Sequence, residues 1–129
     1  MKKIIGFILI LGFVVGCKEK SALEVEVIAI HDEVMPKMGD MYKARKELRA
    51  IMEKTADESE KSVIIKLIND LVNADEGMMT WMHEWKVPNK EPEKTDYLLK
   101  EKERITKVKN DMLSSLENAN AYIAKNSSK

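Results

Sequence analysis

The chain has 129 residues, with 22 Lys and Arg against 22 Asp and Glu, one Cys, nine Met, five Gly and three Pro. That length fits one domain and excludes long repeat arrays, and a zero formal charge argues against a nucleic-acid binder, which needs a basic excess to neutralise phosphates. One cysteine excludes both a disulfide framework and a thiolate zinc cluster.

The first predicted element, residues 1–16, is a processing signal. Lys2 and Lys3 form a positive head, and Ile4 to Gly16 form an uncharged apolar run of about 13 residues, enough for a signal-peptide core and short of the roughly 20 that span a bilayer. The run ends Val14-Val15-Gly16-Cys17, which resembles the bacterial lipobox of branched and small residues before a cysteine. Cleavage before Cys17 would free a thiol to take diacylglycerol and an amine to take a third chain. At about 0.8 kcal/mol per buried CH₂, several palmitate-length chains hold a protein firmly in a membrane. Lys18-Glu19-Lys20-Ser21 completes a lipidated tether over residues 17–21. With Lys18 rather than Asp after the cysteine, the resemblance to Gram-negative lipoproteins implies the outer membrane, facing the periplasm or the cell surface. Cleavage also removes Lys2 and Lys3, so 20 basic side chains remain against 22 acidic ones.

The mature chain keeps only Gly39 and Gly77, with Pro at 36, 88 and 92. So few turn-forming residues favour long helices, and residues 22–125 are expected to form an all-α bundle domain followed by a frayed tail over 126–129. The first helix, Ala22 to Lys54, places Val27, His31, Val34, Met38, Met41, Arg45, Leu48 and Met52 at alternating spacings of four and three, the pattern of a seam at shallow crossing angle. His31 and Arg45 interrupt its apolar stripe. Pro36, lacking an N–H and crowding the preceding turn, should kink this helix or start a new one.

Thr55-Ala56-Asp57-Glu58 resembles a capping box, with Thr55 as N-cap and Glu58 reaching back, so a second helix is predicted from there to Trp85. Its seam is Ile64, Ile68, Leu71, Asp75, Met78, Met82 and Trp85, with Asp75 the one charged member. Lys86 to Lys94 carries Pro88 and Pro92 and little apolar content, which predicts a loop. The third helix, Glu93 to Ala124, gathers Leu98, Ile105, Val108, Met112, Leu116, Ala119 and Ile123 on one side. None of these helices can bury its stripe alone, so an antiparallel three-helix bundle running up, down, up is expected. A longer two-helix hairpin that dimerises is the alternative.

Antiparallel pairing about a turn near Ala56 sets Leu48 against Ile64, Met41 against Leu71, Val34 against Met78 and His31 against Met82. It also brings Gly39 and Gly77 to one level, where two helices could approach closely. His31, Met35 and Met38 share a face of the first helix, Met78 and Met82 share one of the second, and Met79 and His83 lie beside them. Thioether sulfur and imidazole nitrogen suit Cu(I), so these seven residues are a candidate cuprous site. The competing reading is packing: methionine fills cores and sets sulfur against aromatic rings, and Asp32, Glu33, Asp75 or Glu84 could satisfy the histidines. A third reading makes the methionines, with Trp81 and Trp85, an adaptable docking surface for a protein partner or a second copy, or lets an outward-facing tryptophan rest in the membrane interface.

Catalytic signatures are missing from the sequence. It has no glycine-rich phosphate loop, no Gly-x-Ser-x-Gly, no His-Glu-x-x-His and no paired Glu-x-x-His, and its many carboxylates read as solvated helix faces. A non-enzymatic role without an obligatory cofactor is therefore expected, structural or in protein interaction, with copper handling as the alternative.

Two stretches, His31-Asp32-Glu33-Val34-Met35-Pro36-Lys37-Met38-Gly39-Asp40 and Ala74-Asp75-Glu76-Gly77-Met78-Met79-Thr80-Trp81-Met82-His83, resemble those of small Bacteroidetes lipoproteins commonly labelled viral A-type inclusion protein, a label that reflects generic coiled-coil similarity. The resemblance covers residues 25–85 and implies no activity. It does contain the methionine and histidine residues above.

Overall fold

The computed structural model describes residues 20–127, so the predicted signal segment, Cys17 with the two tether residues after it, and the last two residues lie outside it. Four helices, α1 (Ala22–Val34), α2 (Lys37–Lys54), α3 (Glu58–Glu84) and α4 (Glu93–Asn126), form an all-α bundle. α1 and α2 together make the first arm, α3 returns along it, and α4 runs parallel to the first arm, giving the up-down-up order. α4 packs along all three other helices and α2 packs along α3, whereas the close backbone approach of α1 is to α4. Among the described residues no helix is long and apolar enough to cross a membrane.

The helix ends follow local chemistry. Ser21 is the N-cap of α1 rather than part of a tether, its Oγ accepting the Glu24 N–H at 3.2 Å. Pro36 ends α1 and starts α2: the chain turns at Met35 and Pro36, and the Met38 N–H reaches only to the Met35 carbonyl, 3.2 Å away. The second cap differs from the expected box. Thr55 closes α2, its Oγ1 donating to the Ile51 carbonyl at 2.8 Å, and Asp57 caps α3, its Oδ1 accepting from the Ser59 and Glu60 N–H groups at 2.7 and 3.1 Å. With the threonine hydroxyl committed to the preceding helix, the ionised carboxylate next to the new one is the stronger acceptor, and such a cap stabilises by about 1 kcal/mol. At α4 the Glu91 carboxylate accepts from both the backbone N–H and the hydroxyl of Thr95. Asn126, expected in the tail, instead lies in the last turn, where its side-chain amide donates to the Tyr122 carbonyl.

The core is the predicted stripe, broadened. Val27, Val34, Met41, Leu48, Ile64, Leu71, Met78, Ile105 and Met112 are fully buried, each large side chain contributing about 1.5–3 kcal/mol. Ala44, Ala74 and Trp81 join them, because a helix with two neighbours must bury a wider arc than a two-helix seam. Arg45 and Asp75, the charged interruptions on two predicted seams, meet each other at 3.5 Å. The glycines do not mark a mutual approach. A Cβ at Gly39 would meet open space, and one at Gly77 would touch only Val108 of α4, at 3.9 Å.

α1 and α4 are held in register by ion pairs. Glu26 binds Lys102 and Glu33 binds Lys109, both at 2.7 Å, with Glu24 and Lys94 at 3.5 Å beyond them. From one short pair to the next both partners advance by seven residues, two helical turns, as parallel coiled helices require.

Candidate functional site

The Pro36 turn frees α1 to follow α4, and large side chains fill the space between α1 and α3. His31 projects from α1 against the last turns of α3. Its Nδ1 lies 2.9 Å from Asp32 Oδ1 and its Nε2 lies 3.2 Å from Met82 Sδ. The imidazole stacks on Trp81, with ring centroids 5.5 Å apart and planes inclined by 29°. The stack continues through Trp85 at 4.9 Å and Tyr97 of α4 at 5.8 Å, and the Lys86 N–H donates to Tyr97 Oη at 2.7 Å, pinning the loop entrance. A column of four rings thus runs from α1 across α3 to α4.

Beside this column a cleft of about 300 Å³ opens between α1 and α3, lined by Ile28, His31, Asp32, Trp81, Met82 and Trp85. Its walls are apolar apart from the imidazole and the Asp32 carboxylate, which is well exposed at the rim. A second recess of similar size between α3 and α4 is polar, and its carboxylates Asp70 and Asp111 are neutralised along their own helices by Lys66 and Lys107. The first cleft is the better candidate because it joins apolar surface to a few convergent polar groups.

Of the seven predicted soft donors, the structure brings His31 and Met82 into contact. Met35 and Met38 are half-buried against the core, Met78 is fully buried in it, and Met79 and His83 are exposed. Among the described residues no three His, Cys, Asp or Glu side chains converge on a point. The expectation of an outward-facing tryptophan is not met: Trp81 is 4 % exposed, and Trp85 is half-buried between Trp81 and Tyr97. Asp32 is the carboxylate that satisfies His31, one of the four considered.

Two residues near this end of the bundle lie outside the predicted set. Tyr97 reaches the column only because the loop after α3 folds back, and nothing local announces that. Glu101, by contrast, has a local signal, since it falls between Leu98 and Ile105 at spacings of three and four. It is 4 % exposed, with Oε1 accepting from Arg104 Nη1 at 2.9 Å and Oε2 unpartnered. Arg104 also binds Glu84 at the end of α3. These bonds, to Glu84 first and then Glu101, raise the guanidinium pKa above its usual value. The Trp81 indole N–H is likewise buried without a partner.

Comparison of the chain with family models, with curated proteins and with solved structures returned no match.

Proposed function

We propose that this is a lipid-anchored helical-bundle protein of the cell envelope that acts by binding a protein partner rather than by catalysis, with the α1–α3 cleft as its docking point. The cleft itself is the observation that carries the reading. Ile28, Met82 and the half-buried Trp85 provide apolar contact area there, while His31 and Asp32 provide direction, and an aromatic anchor in a small recess is a common feature of interaction hot spots. Its volume is at the lower end of the roughly 300–1,000 Å³ of ligand pockets, suited to one or two partner side chains.

The anchor reading rests on Lys2, Lys3, the apolar run to Gly16 and Cys17. From Cys17 to Ala22 the chain can extend no more than about 18 Å, and His31 lies about 14 Å along α1 from Ala22. A lipidated Cys17 would therefore keep the cleft within a few nanometres of the bilayer, where a membrane-bound partner is concentrated.

Two measurements test this. Cells fed labelled palmitate should label the chain and not its Cys17→Ser variant; equal labelling of both removes the anchor. A photo-crosslinking residue at Asp32, on the cleft rim, should give a discrete protein adduct that the same residue at exposed Glu117 does not; no adduct at Asp32, or the same adduct at both, removes the docking point.

A second reading, cuprous-ion handling, has one specific contact in its favour, the approach of His31 Nε2 to Met82 Sδ.

A further inference from the structure

We propose that His31 and Met82 are the protein ligands of a soft monovalent cation, Cu(I), held at the α1–α3 cleft with Asp32 and Trp81 fixing the imidazole. This rests on the cuprous reading above and narrows it from seven residues to two ligands and two positioning groups.

The argument begins with a count of protons. A neutral imidazole carries one N–H. With that hydrogen on Nδ1, facing the Asp32 carboxylate at 2.9 Å, Nε2 turns a lone pair toward the Met82 thioether 3.2 Å away. Sulfur has no hydrogen to donate, so two electron-pair donors face each other. With the hydrogen on Nε2 instead, the lone pair of Nδ1 would face an ionised carboxylate, which is worse. The neutral tautomer therefore sets two Lewis bases against each other; a second proton, whose Nε2–H would donate to the sulfur, relieves that conflict, and so does a soft Lewis acid held between them.

The identity of the acid follows from the bases. A thioether and an imidazole form a soft and borderline pair, which favours Cu(I) over Mg²⁺, Ca²⁺ or Mn²⁺. Taking the zinc values of roughly 2.0 Å to nitrogen and 2.3 Å to sulfur as a guide, a tetrahedral angle would separate the two donors by about 3.5 Å, so a few tenths of an ångström of Met82 movement would admit an ion of that size. Methionine has the rotatable bonds to supply it. Asp32 on the far nitrogen is the carboxylate–histidine–metal arrangement that sets the tautomer and strengthens the ligand, and stacking on Trp81 fixes the plane of the ring.

Other charged groups at this level are engaged elsewhere. Lys109 of α4 pairs with Glu33, and Arg104 with Glu84 and Glu101. The cleft lining contributes no third soft donor. The remaining coordination positions thus face the opening, where a solvent molecule or a donor from a second molecule can enter. That geometry suits an exchangeable ion rather than a stored one. Binding is ligand addition to Cu(I), and no electron moves.

The test is an anaerobic titration of the full-length chain in detergent, carrying Cys17→Ser to remove the only thiol, with Cu(I) against a chromophoric cuprous chelator. The expected result is one equivalent retained. Affinity should fall at least tenfold in His31→Gln and in Met82→Leu and about tenfold in Asp32→Asn, with Met79→Leu and His83→Ala unchanged. Redox-inert Ag(I) added to the unmutated ligand set should shift the His31 Nε2 and Met82 methyl NMR signals, a readout that does not depend on how well a variant folds. Failure to retain any ion overturns the cuprous reading as a whole. Retention that ignores His31 and Met82, or Ag(I) binding that leaves their signals in place, overturns this site while leaving an ion bound elsewhere.

Discussion

Glu101 shows how much a single side chain can demand of its surroundings. A carboxylate 4 % exposed gives up most of its hydration and needs a cation or several donors in exchange. Arg104 is that cation, bridging Glu101 on its own helix and Glu84 on α3, and its raised pKa keeps it charged at any pH the fold will meet. Replacing Arg104 with Met should strand the buried carboxylate and cost about 1–3 kcal/mol in urea unfolding at neutral pH. Adding Glu101→Leu in that background should recover most of the loss, because an apolar side chain there extends the stripe from Leu98 to Ile105. Equal stability of the Arg104→Met variant and the parent would mean that the carboxylate is solvated after all. Glu101 also illustrates how spacing and composition conflict. Its position reads as core and its charge reads as surface, and in a chain so rich in carboxylates the charge is the more persuasive signal until Arg104 is placed beside it.

Among elements, the α1–α4 register is set by charge on a seven-residue repeat. Exposed ion pairs are individually weak, about 0–1 kcal/mol, but Glu26–Lys102 and Glu33–Lys109 act together on one interface, and like charges there would repel. Reversing Lys102 and Lys109 to Glu should lower stability by about 1–2 kcal/mol at low salt, less at 1 M salt, and adding Glu26→Lys with Glu33→Lys should restore it. A loss that salt and the second reversal leave untouched would assign it to the lysine stems packed on the helix surface instead. The helices themselves were legible from apolar spacing, Pro36 marked the first break, and the antiparallel pairing about Ala56 anticipated the meeting of His31 with Met82. The parting of α1 from α3 was not legible. It depends on which neighbour α1 follows after the proline, and the α4 lysines that pair with it lie 76 positions away in the chain. For the same reason Met79 and His83, plausible ligands on a helical wheel, face solvent, while Trp81 is drawn inside. The Asp57 cap was obscured by Thr55, which fits the capping pattern equally well until its hydroxyl is seen bonded to Ile51.

At the scale of the molecule, α4 is the helix on which the other three depend, because it packs along all of them and α1 leans on it most directly. Removing it would expose the surfaces now covered by Leu98, Ile105, Met112, Leu116 and Ile123. At about 1.5–3 kcal/mol each those five side chains contribute roughly 7–15 kcal/mol, as much as the whole net stability of a domain this size. A chain stopped at Glu91 should therefore lose its helical circular dichroism, and α1, left without its register, should lose the His31–Trp81 stack, with tryptophan emission moving to the red. Supplying residues 92–129 as a separate peptide should restore both signals, since the contacts it makes are side-chain contacts along a helix rather than constraints of the Lys86–Pro92 connection. A shortened chain that stays helical by pairing with its own copy would show instead that α1, α2 and α3 suffice as a dimerising hairpin, with a second hairpin in the place of α4. Sedimentation at several concentrations separates the two, because only the hairpin dimer gains helix as the chain concentration rises.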